Sequence, residues 1–339
     1  MLKPWGVCQN LDIVHIGGGE FLFHRSHCSS KLSVQHTIAG SLWQPSQIGP
    51  ISSFIAQTPI LRQACGTYDV QQMTAKRNEH HEITHVRNAT QLIDYAGKKF
   101  LIDPMLSAKG AWAGFAGTAR SELRNPLVEL PFSIETIVDV DAVIVTHTHQ
   151  DHWDEAAIAA IPKTLPVYVQ HDADGQLLRG QGFCDIRLLS EDSAFADVAL
   201  VKTTSGQHGS DRTYAVPAMA ERLGEACGVV LRHPQEKTLW LVGDTIWRDA
   251  VEADMLRLRP DVVVLNAGYA HVIGFGPIIM GKEDVLKAHF VLPEAKIVAS
   301  HMDAVNHCLL SRDELRQYVA DNQIAEAVSI PQDGESMVF

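Results

Sequence analysis

The chain has 339 residues, 46% of them apolar, which is enough for one large core or two of ordinary size, and its formal net charge is −12. Residues 1–72 hold four basic and three acidic side chains, leaving the remainder at −13, a balance that argues against RNA or DNA as the main partner. The six cysteines (Cys8, Cys28, Cys65, Cys184, Cys227, Cys308) are scattered without a CxxC pair, which argues against a disulfide framework or thiolate zinc site and for a reducing cytoplasm. With no apolar run long enough for a bilayer and no secretory leader pattern, no membrane partner is expected.

In chain order, residues 1–72 are rich in Ser, Gln, Gly and Pro and show no sustained apolar period, so they read as a poorly patterned extension, either a disordered arm or a misassigned start ahead of Met73. Gly17, Gly18 and Gly19 lack the following Gly-Lys-Ser/Thr of a phosphate loop and read as a flexible turn. From residue 83 the pattern sharpens into strands over 83–86, 90–95 and 99–103, the last two joined by a turn at 96–98. A wholly apolar strand over 142–146, of the kind buried on both faces, ends where a histidine run begins. A helix over 154–161 is stopped by Pro162, and a strand over 167–169 precedes a helix near 175–179.

Downstream, a strand over 198–204 leads to His208, and a hairpin of 228–232 with 238–242 delivers Gly243 and Asp244. A helix over 247–258, a strand over 261–265, a helix over 282–290 and a strand over 296–300 ending at His301 follow. Ser311 with Glu314 starts a last helix through a capping box, and the chain closes through 328–330. Strand and helix alternation predicts an α/β domain over 73–339 whose polar loops line one edge of a mixed sheet.

The run His147, Thr148, His149, Gln150, Asp151, His152 concentrates imidazole nitrogen and carboxylate oxygen, a donor set suited to zinc, manganese or iron, and its spacing favours two ions over one. Further ligands for such a pair are sought in His208, Asp244 and His301. Asp151 and Asp244 are also the carboxylates available to position water or accept a proton. No Gly-x-Ser-x-Gly elbow is present, so a covalent serine route has no support. His80, His81 and His85 read as a polar lead-in and strand surface. The stretch 205–222, with Arg212 and Tyr214, is the expected rim for an anionic group, and 274–281 is either a substrate loop or an ordinary turn.

This ordered set resembles the metallo-β-lactamase superfamily over about residues 83–339, and the segment 301–307 (HMDAVNH) with Asn266, Ala267 and Gly268 resembles its ascorbate-6-phosphate lactonase-like branch. The resemblance implies an αββα sandwich of mixed sheets with outer helices, and two divalent metal ions, zinc first with manganese or iron as alternatives. His147, His149 and His208 would hold the first ion, Asp151, His152 and His301 the second, with Asp244 between them. His307 would lie behind the ligands or in packing, and Asp303 would orient a neighbouring histidine. The implied activity is hydrolysis of a small polar or phosphorylated metabolite by water activated between the ions, lactone or ester opening first. A phosphodiesterase or nuclease of the same fold and a non-catalytic metal-binding protein are the alternatives. A redox role is disfavoured because relatives that reduce oxygen carry a carboxylate where this chain has His149. A homo-oligomer is compatible with all of these.

Overall fold

The computed structural model describes residues 81–339 and, upstream of them, three strands, β1 (Leu11–Ile16), β2 (Gly19–His24) and β3 (Val34–His36). The chain divides into two compact units, Met1–Ala75 and Lys76–Phe339. In the first unit β1 pairs with β2 and β2 with β3, all antiparallel. These strands fall where the sequence shows no sustained alternation. Gly19 opens β2, while Gly17 and Gly18 lie outside the described residues.

The second unit begins with the meander β4 (Glu82–Arg87), β5 (Thr90–Tyr95) and β6 (Lys98–Ile102). After a long irregular connection come α1 (Ile134–Ile137), β7 (Ala142–Val145), α2 (Glu155–Ala160), β8 (Val167–Val169), α3 (Asp172–Gly180) and β9 (Ile186–Leu188). Strands β6 to β9 run parallel. The chain then builds a second sheet from β10 (Ala194–Phe195), β11 (Val198–Thr203), β12 (Gly228–Arg232), β13 (Leu239–Leu241) and β14 (Val262–Asn266). Short helices α4 (Asp211–Tyr214) and α5 (Pro217–Leu223) lie between β11 and β12, and α6 (Asp249–Leu258) precedes β14. A small hairpin, β15 (His271–Val272) with β16 (Gly276–Pro277), is followed by α7 (Lys282–Val291), β17 (Lys296–Ser300), α8 (Arg312–Asp321), β18 (Val328–Ser329) and β19 (Glu335–Val338). The sheet orders are β19-β4-β5-β6-β7-β8-β9 and β10-β11-β12-β13-β14-β17-β18.

Strand alternation sorts the apolar residues into layers. Ile93, Phe100, Ala142 and Ile144 of the first sheet meet Leu200, Val229, Leu241, Val262 and Val264 of the second in one central core. The opposite faces carry Val143, Val145 and Val167, which pack on Ile137, Ala157 and Leu178 of α1, α2 and α3. On the far side Val263, Leu265 and Ile297 pack on Val251 and Met255 of α6, Val285 of α7 and Leu315 of α8. Because β7 and β14 are buried on both faces, they read as unbroken apolar runs, and the architecture is the αββα sandwich expected. Ser311 accepts from the Glu314 amide at 3.1 Å, so the N-cap expected at α8 forms, but the Glu314 side chain accepts from Lys282 Nζ at 2.6 Å and the reciprocal half of the capping box is absent.

One reading is overturned. His81 and His85 are completely buried, because β19 returns from the chain's end to pair with β4 and covers them. His81 stacks on Phe339 with centroids 5.7 Å apart, and His85 Nε2 lies 3.1 Å from Arg312 Nη2 and 3.4 Å from Asp333 Oδ1. His80 lies outside the described residues. Helices α1 and α4 are four residues each, too short to display a period, which is why the pattern reading passed over them.

Candidate metal centre

All the loops that carry the expected ligands leave the same edge of the sandwich. The turn after β7 holds His147, His149, Asp151 and His152; His208 follows β11, Asp244 follows β13 and His301 follows β17. Strands β13, β14 and β17 are parallel, and β11 is antiparallel to a strand that is itself antiparallel to β13, so their C-terminal ends coincide. The structure brings all seven residues together. Three groups, His147 with His149 and His208, His147 with His152 and Asp244, and Asp151 with His152 and His301, each present ligand atoms within 4.8 Å of one another.

The geometry fits cations between the side chains. His147 Nε2 faces His149 Nδ1 at 3.0 Å, and His152 Nε2 faces His301 Nε2 at 3.1 Å, nitrogen to nitrogen. Two imidazoles bound tetrahedrally to one ion at about 2.0–2.1 Å would stand roughly 3.3 Å apart, close to these spacings. Asp244 Oδ2 lies 3.3 Å from His152 Nε2, 3.7 Å from His208 Nδ1, 3.8 Å from His301 Nε2 and 3.9 Å from His147 Nε2, between the two triads. Apart from the half-buried His149, every member is buried.

The bare cluster is electrostatically divided. Although burial pulls the other way, His152 and His301 hold Asp244 and Asp151 well below the ordinary carboxylate range. Against its own burial, His152 is held up to about 10 by Asp244, Asp103 and Asp151, and His301 is raised well above its ordinary value, chiefly by Asp244. Burial and the neighbouring His152 push His147 well down, and burial takes His208 to about 3. Buried carboxylates therefore demand positive charge at the centre, and a divalent cation meets that demand without protonating an imidazole.

Residues just behind the cluster fix its geometry. Asp103, at the end of β6, accepts from the Thr146 amide and hydroxyl at 2.7 Å each and meets His152 Nδ1 at 2.9 Å. Asn266, ending β14, donates to Asp244 Oδ1 at 2.6 Å and accepts from Ser300 at 2.8 Å. His208 Nδ1 donates to the Ile278 carbonyl at 3.0 Å, and Cys308 Sγ lies 3.3 Å from His301 Nδ1. Such partners set the tautomer and aim the free nitrogen. His301 and Asp103 adopt positive φ, 62° and 44°, a strain held by the surrounding contacts; His301 is pinned by its amide bond to the Asn88 carbonyl at 2.8 Å. Glycine is required at 268, where a Cβ would stand 1.8 Å from the His301 carbonyl oxygen. The role expected of Asp303 belongs to Asp103, since Asp303 Oδ2 accepts instead from the Arg312 amide at 3.1 Å.

Beside the cluster opens a cleft of about 150 Å³, lined by His149, Asp151 and His208 on the ligand side and by Phe115, Thr118, Arg222, Leu223, Val272, Ile278 and His307 elsewhere. Its floor joins an apolar group that includes Met105, Ala270, Ile279 and Val305. The expected rim is only partly here. Arg222 of the 205–222 stretch borders the cleft, but Arg212 is exposed, and the Tyr214 hydroxyl is engaged by the Gly224 carbonyl at 2.7 Å. Ile278 represents the 274–281 stretch.

Sequence reading missed the connection between β6 and α1, which supplies Phe115 and Thr118. Buried Asn306 holds it: Asn306 Nδ2 donates to Thr118 Oγ1 at 2.9 Å and to the Ala119 carbonyl at 2.7 Å, while Oδ1 accepts from the Phe115 amide at 3.1 Å and Asn125 Nδ2 at 2.8 Å. The asparagine within HMDAVNH was the one available signal.

Comparison with known proteins matches residues 98–302 to the beta-lactamase superfamily domain. The chain is 44% identical over 258 residues to UPF0173 protein YddR of Bacillus subtilis (strain 168), covering 76% of this chain and 99% of that protein. It is 26% identical over 203 residues to the UPF0173 metal-dependent hydrolase of Xanthobacter autotrophicus (strain ATCC BAA-1158 / Py2), covering 57% of this chain and 74% of that protein. The crystal structure of isothiocyanate hydrolase from Delia radicum gut bacteria superposes with a TM-score of 0.75 at 52% identity, covering 76% of this chain and 99% of that one. With the fold, the ligand-bearing edge and these similarities in agreement, the chain belongs to the beta-lactamase superfamily and, within it, to the UPF0173 family of metal-dependent hydrolases.

Proposed function

We propose that this chain hydrolyses small, largely apolar heterocumulenes of the isothiocyanate class, R–N=C=S, at a centre of two divalent metal ions, zinc first. The carrying observation is the cleft, in which Phe115, Leu223, Val272 and Ile278 face the metal-ligand cluster across about 150 Å³. The 52% identity to a protein described as an isothiocyanate hydrolase supports the same substrate class. Lactone or ester opening, the first expectation from the sequence, would use the same cluster. A phosphorylated substrate is less well served: among the described residues Arg222 is the one Lys or Arg side chain lining the cleft, and its Nη2 donates to the Ala116 carbonyl at 2.5 Å.

Divalent ions bound there would supply two things, a water of lowered pKa and polarisation of the electrophile. His147, His149 and His208 would hold one ion and Asp151, His152 and His301 the other, with Asp244 between the two groups and its Oδ1 fixed by Asn266. The apolar wall excludes bulk water and lays the N=C=S unit against this edge. Water oxygen adds to the central carbon, one proton passes to nitrogen through Asp151, which borders the cleft, and the thiocarbamic acid breaks down to R–NH2 and carbonyl sulfide. Residues 73–339 carry this activity without residues 1–72. The free thiols Cys184, Cys227 and Cys308 support a reducing, cytoplasmic setting. Among the described residues no helix is long and apolar enough to cross a membrane.

The test is metal analysis by mass spectrometry, followed on the same preparation by allyl isothiocyanate, a γ-lactone, a phosphomonoester and a phosphodiester. Amine and carbonyl sulfide release from the isothiocyanate, ahead of turnover of the others, is expected. A metal-loaded preparation that opens the lactone or cleaves the phosphodiester while leaving the isothiocyanate intact overturns the substrate assignment.

A further inference from the structure

The wall of the cleft facing the ligands contains three polar side chains that the hydrolytic scheme leaves unused, and of these Thr118 and Arg222 are hydrogen-bonded to their own surroundings while His307 is not. His307 borders the cleft at 5% exposure, and its Nδ1 is enclosed without a hydrogen-bond partner. Its ring stands edge-on to Phe115, centroids 4.7 Å apart at 77°, and its carbonyl accepts from the His271 amide at 3.1 Å. The preceding Asn306 ties this segment to the Phe115–Thr118 loop, so the imidazole is rigidly mounted. A buried polar atom without a partner costs about 1–3 kcal/mol, and ordinary packing would be served better by an apolar ring.

The tautomer follows from the enclosure. A proton on Nδ1 would strand an N–H in a wall with no acceptor, so the neutral ring carries its proton on Nε2 and offers one donor. We propose that His307 is the substrate-recognition residue of the cleft, its neutral imidazole donating from Nε2 to the heteroatom of the bound N=C=S unit that takes up negative charge as water adds to carbon. This rests on the isothiocyanate reading above. Burial holds His307 down to about 4, so the donor persists unchanged across the neutral range. A hydrogen bond that strengthens as charge develops lowers the barrier more than it tightens the ground state. The nearby apolar Phe115 then accepts the R group, and the pair reads both ends of the substrate.

The experiment compares wild type with His307→Phe, which preserves ring packing, and His307→Gln, which preserves a donor. Metal content and melting temperature are checked on each. In holoenzyme, His307→Phe is expected to lower kcat/KM for allyl isothiocyanate by about ten-fold or more, mostly in kcat, at unchanged metal content, with His307→Gln recovering a substantial part. A purely structural role predicts losses that follow stability and no rescue by Gln. If wild type turns over the isothiocyanate and folded, metal-loaded His307→Phe stays within two-fold, the recognition role is overturned while the hydrolytic reading stands. If wild type does not turn it over, the substrate assignment fails by itself, and thiocyanate titration of cobalt-substituted protein decides the residue: equal affinity in wild type and His307→Phe overturns the role, and about ten-fold weaker binding in the variant sustains it.

Discussion

The edge that carries the histidine and aspartate cluster and the wall of the cleft beside it are built on opposite principles. Each ligand loop is anchored by a buried strand, so the position of His147, Asp244 or His301 follows from β7, β13 or β17 and has little freedom of its own. The wall opposite is assembled from irregular chain around residues 112–128, the hairpin β15–β16 and the segment 303–308, and is held by side-chain hydrogen bonds converging on Asn306 and Arg87. Arg87 donates to the Val128 and Met105 carbonyls at 3.0 and 2.8 Å and to that of Ser107 at 2.5 Å, taking the place of the missing backbone ladder. A reaction centre on rigid strand ends can stay constant while a wall of this kind changes its substrate, as loops carried by a fixed scaffold commonly do.

This contrast can be broken or sharpened experimentally. The largest effect belongs to the edge: Asp244→Ala should lose metal by mass spectrometry and turnover together, and a variant retaining both would remove the cluster from the mechanism. Asp103→Asn should keep the fold but release His152 from its orientation, lowering metal affinity or kcat about 10–100-fold. Asn306→Ala attacks the wall alone. It unpairs several buried groups, so a loss of about 2–4 kcal/mol in stability and a raised KM are expected with metal content unchanged. Metal loss in that variant would mean that the wall and the edge are one structural unit.

Smaller effects are expected from residues that the proposed mechanism does not use. Burial, then Lys237, holds His81 down to about 4, and burial also lowers His85. As pH falls below the unfolded value of about 6.5, the unfolded chain takes up protons that the folded chain refuses, so stability should decline from pH 6.5 towards 4. Replacing His81 by Phe should flatten that slope by about one proton, read from melting curves of metal-free protein. Deleting residues 1–72 should change kcat/KM least, and a collapse of activity would assign the N-terminal unit a part in catalysis.

Part of this protein is legible in its sequence. Apolar runs such as 142–145 and 262–265 announce strands buried on both faces, since a parallel sheet covered on two sides has no solvent face to encode. Four ligand-type side chains in six residues, with His208, Asp244 and His301 after later strands, were legible because metal chemistry restricts the residue types allowed. His81 and His85 misled because their burial depends on β19, more than 240 residues away, and no local pattern records a distant strand closing over them.

Asp103 and Asp303 make the same point inside the site: each is an aspartate with positive φ beside a turn, and only the position of β6 next to β7 brings Asp103 to His152. The cleft wall was invisible for the corresponding reason. Its residues have no periodicity, and they converge through long-range bonds from Asn306 to Asn125 and Thr118. The sequence by itself determined the layers, the strand ends and the donor set, because burial and coordination constrain which residue types can stand there. Only the tertiary structure decided which aspartate meets His152, which side chains line the cleft beside the cluster and how large that cleft is, because those depend on distances between segments that sequence order does not specify.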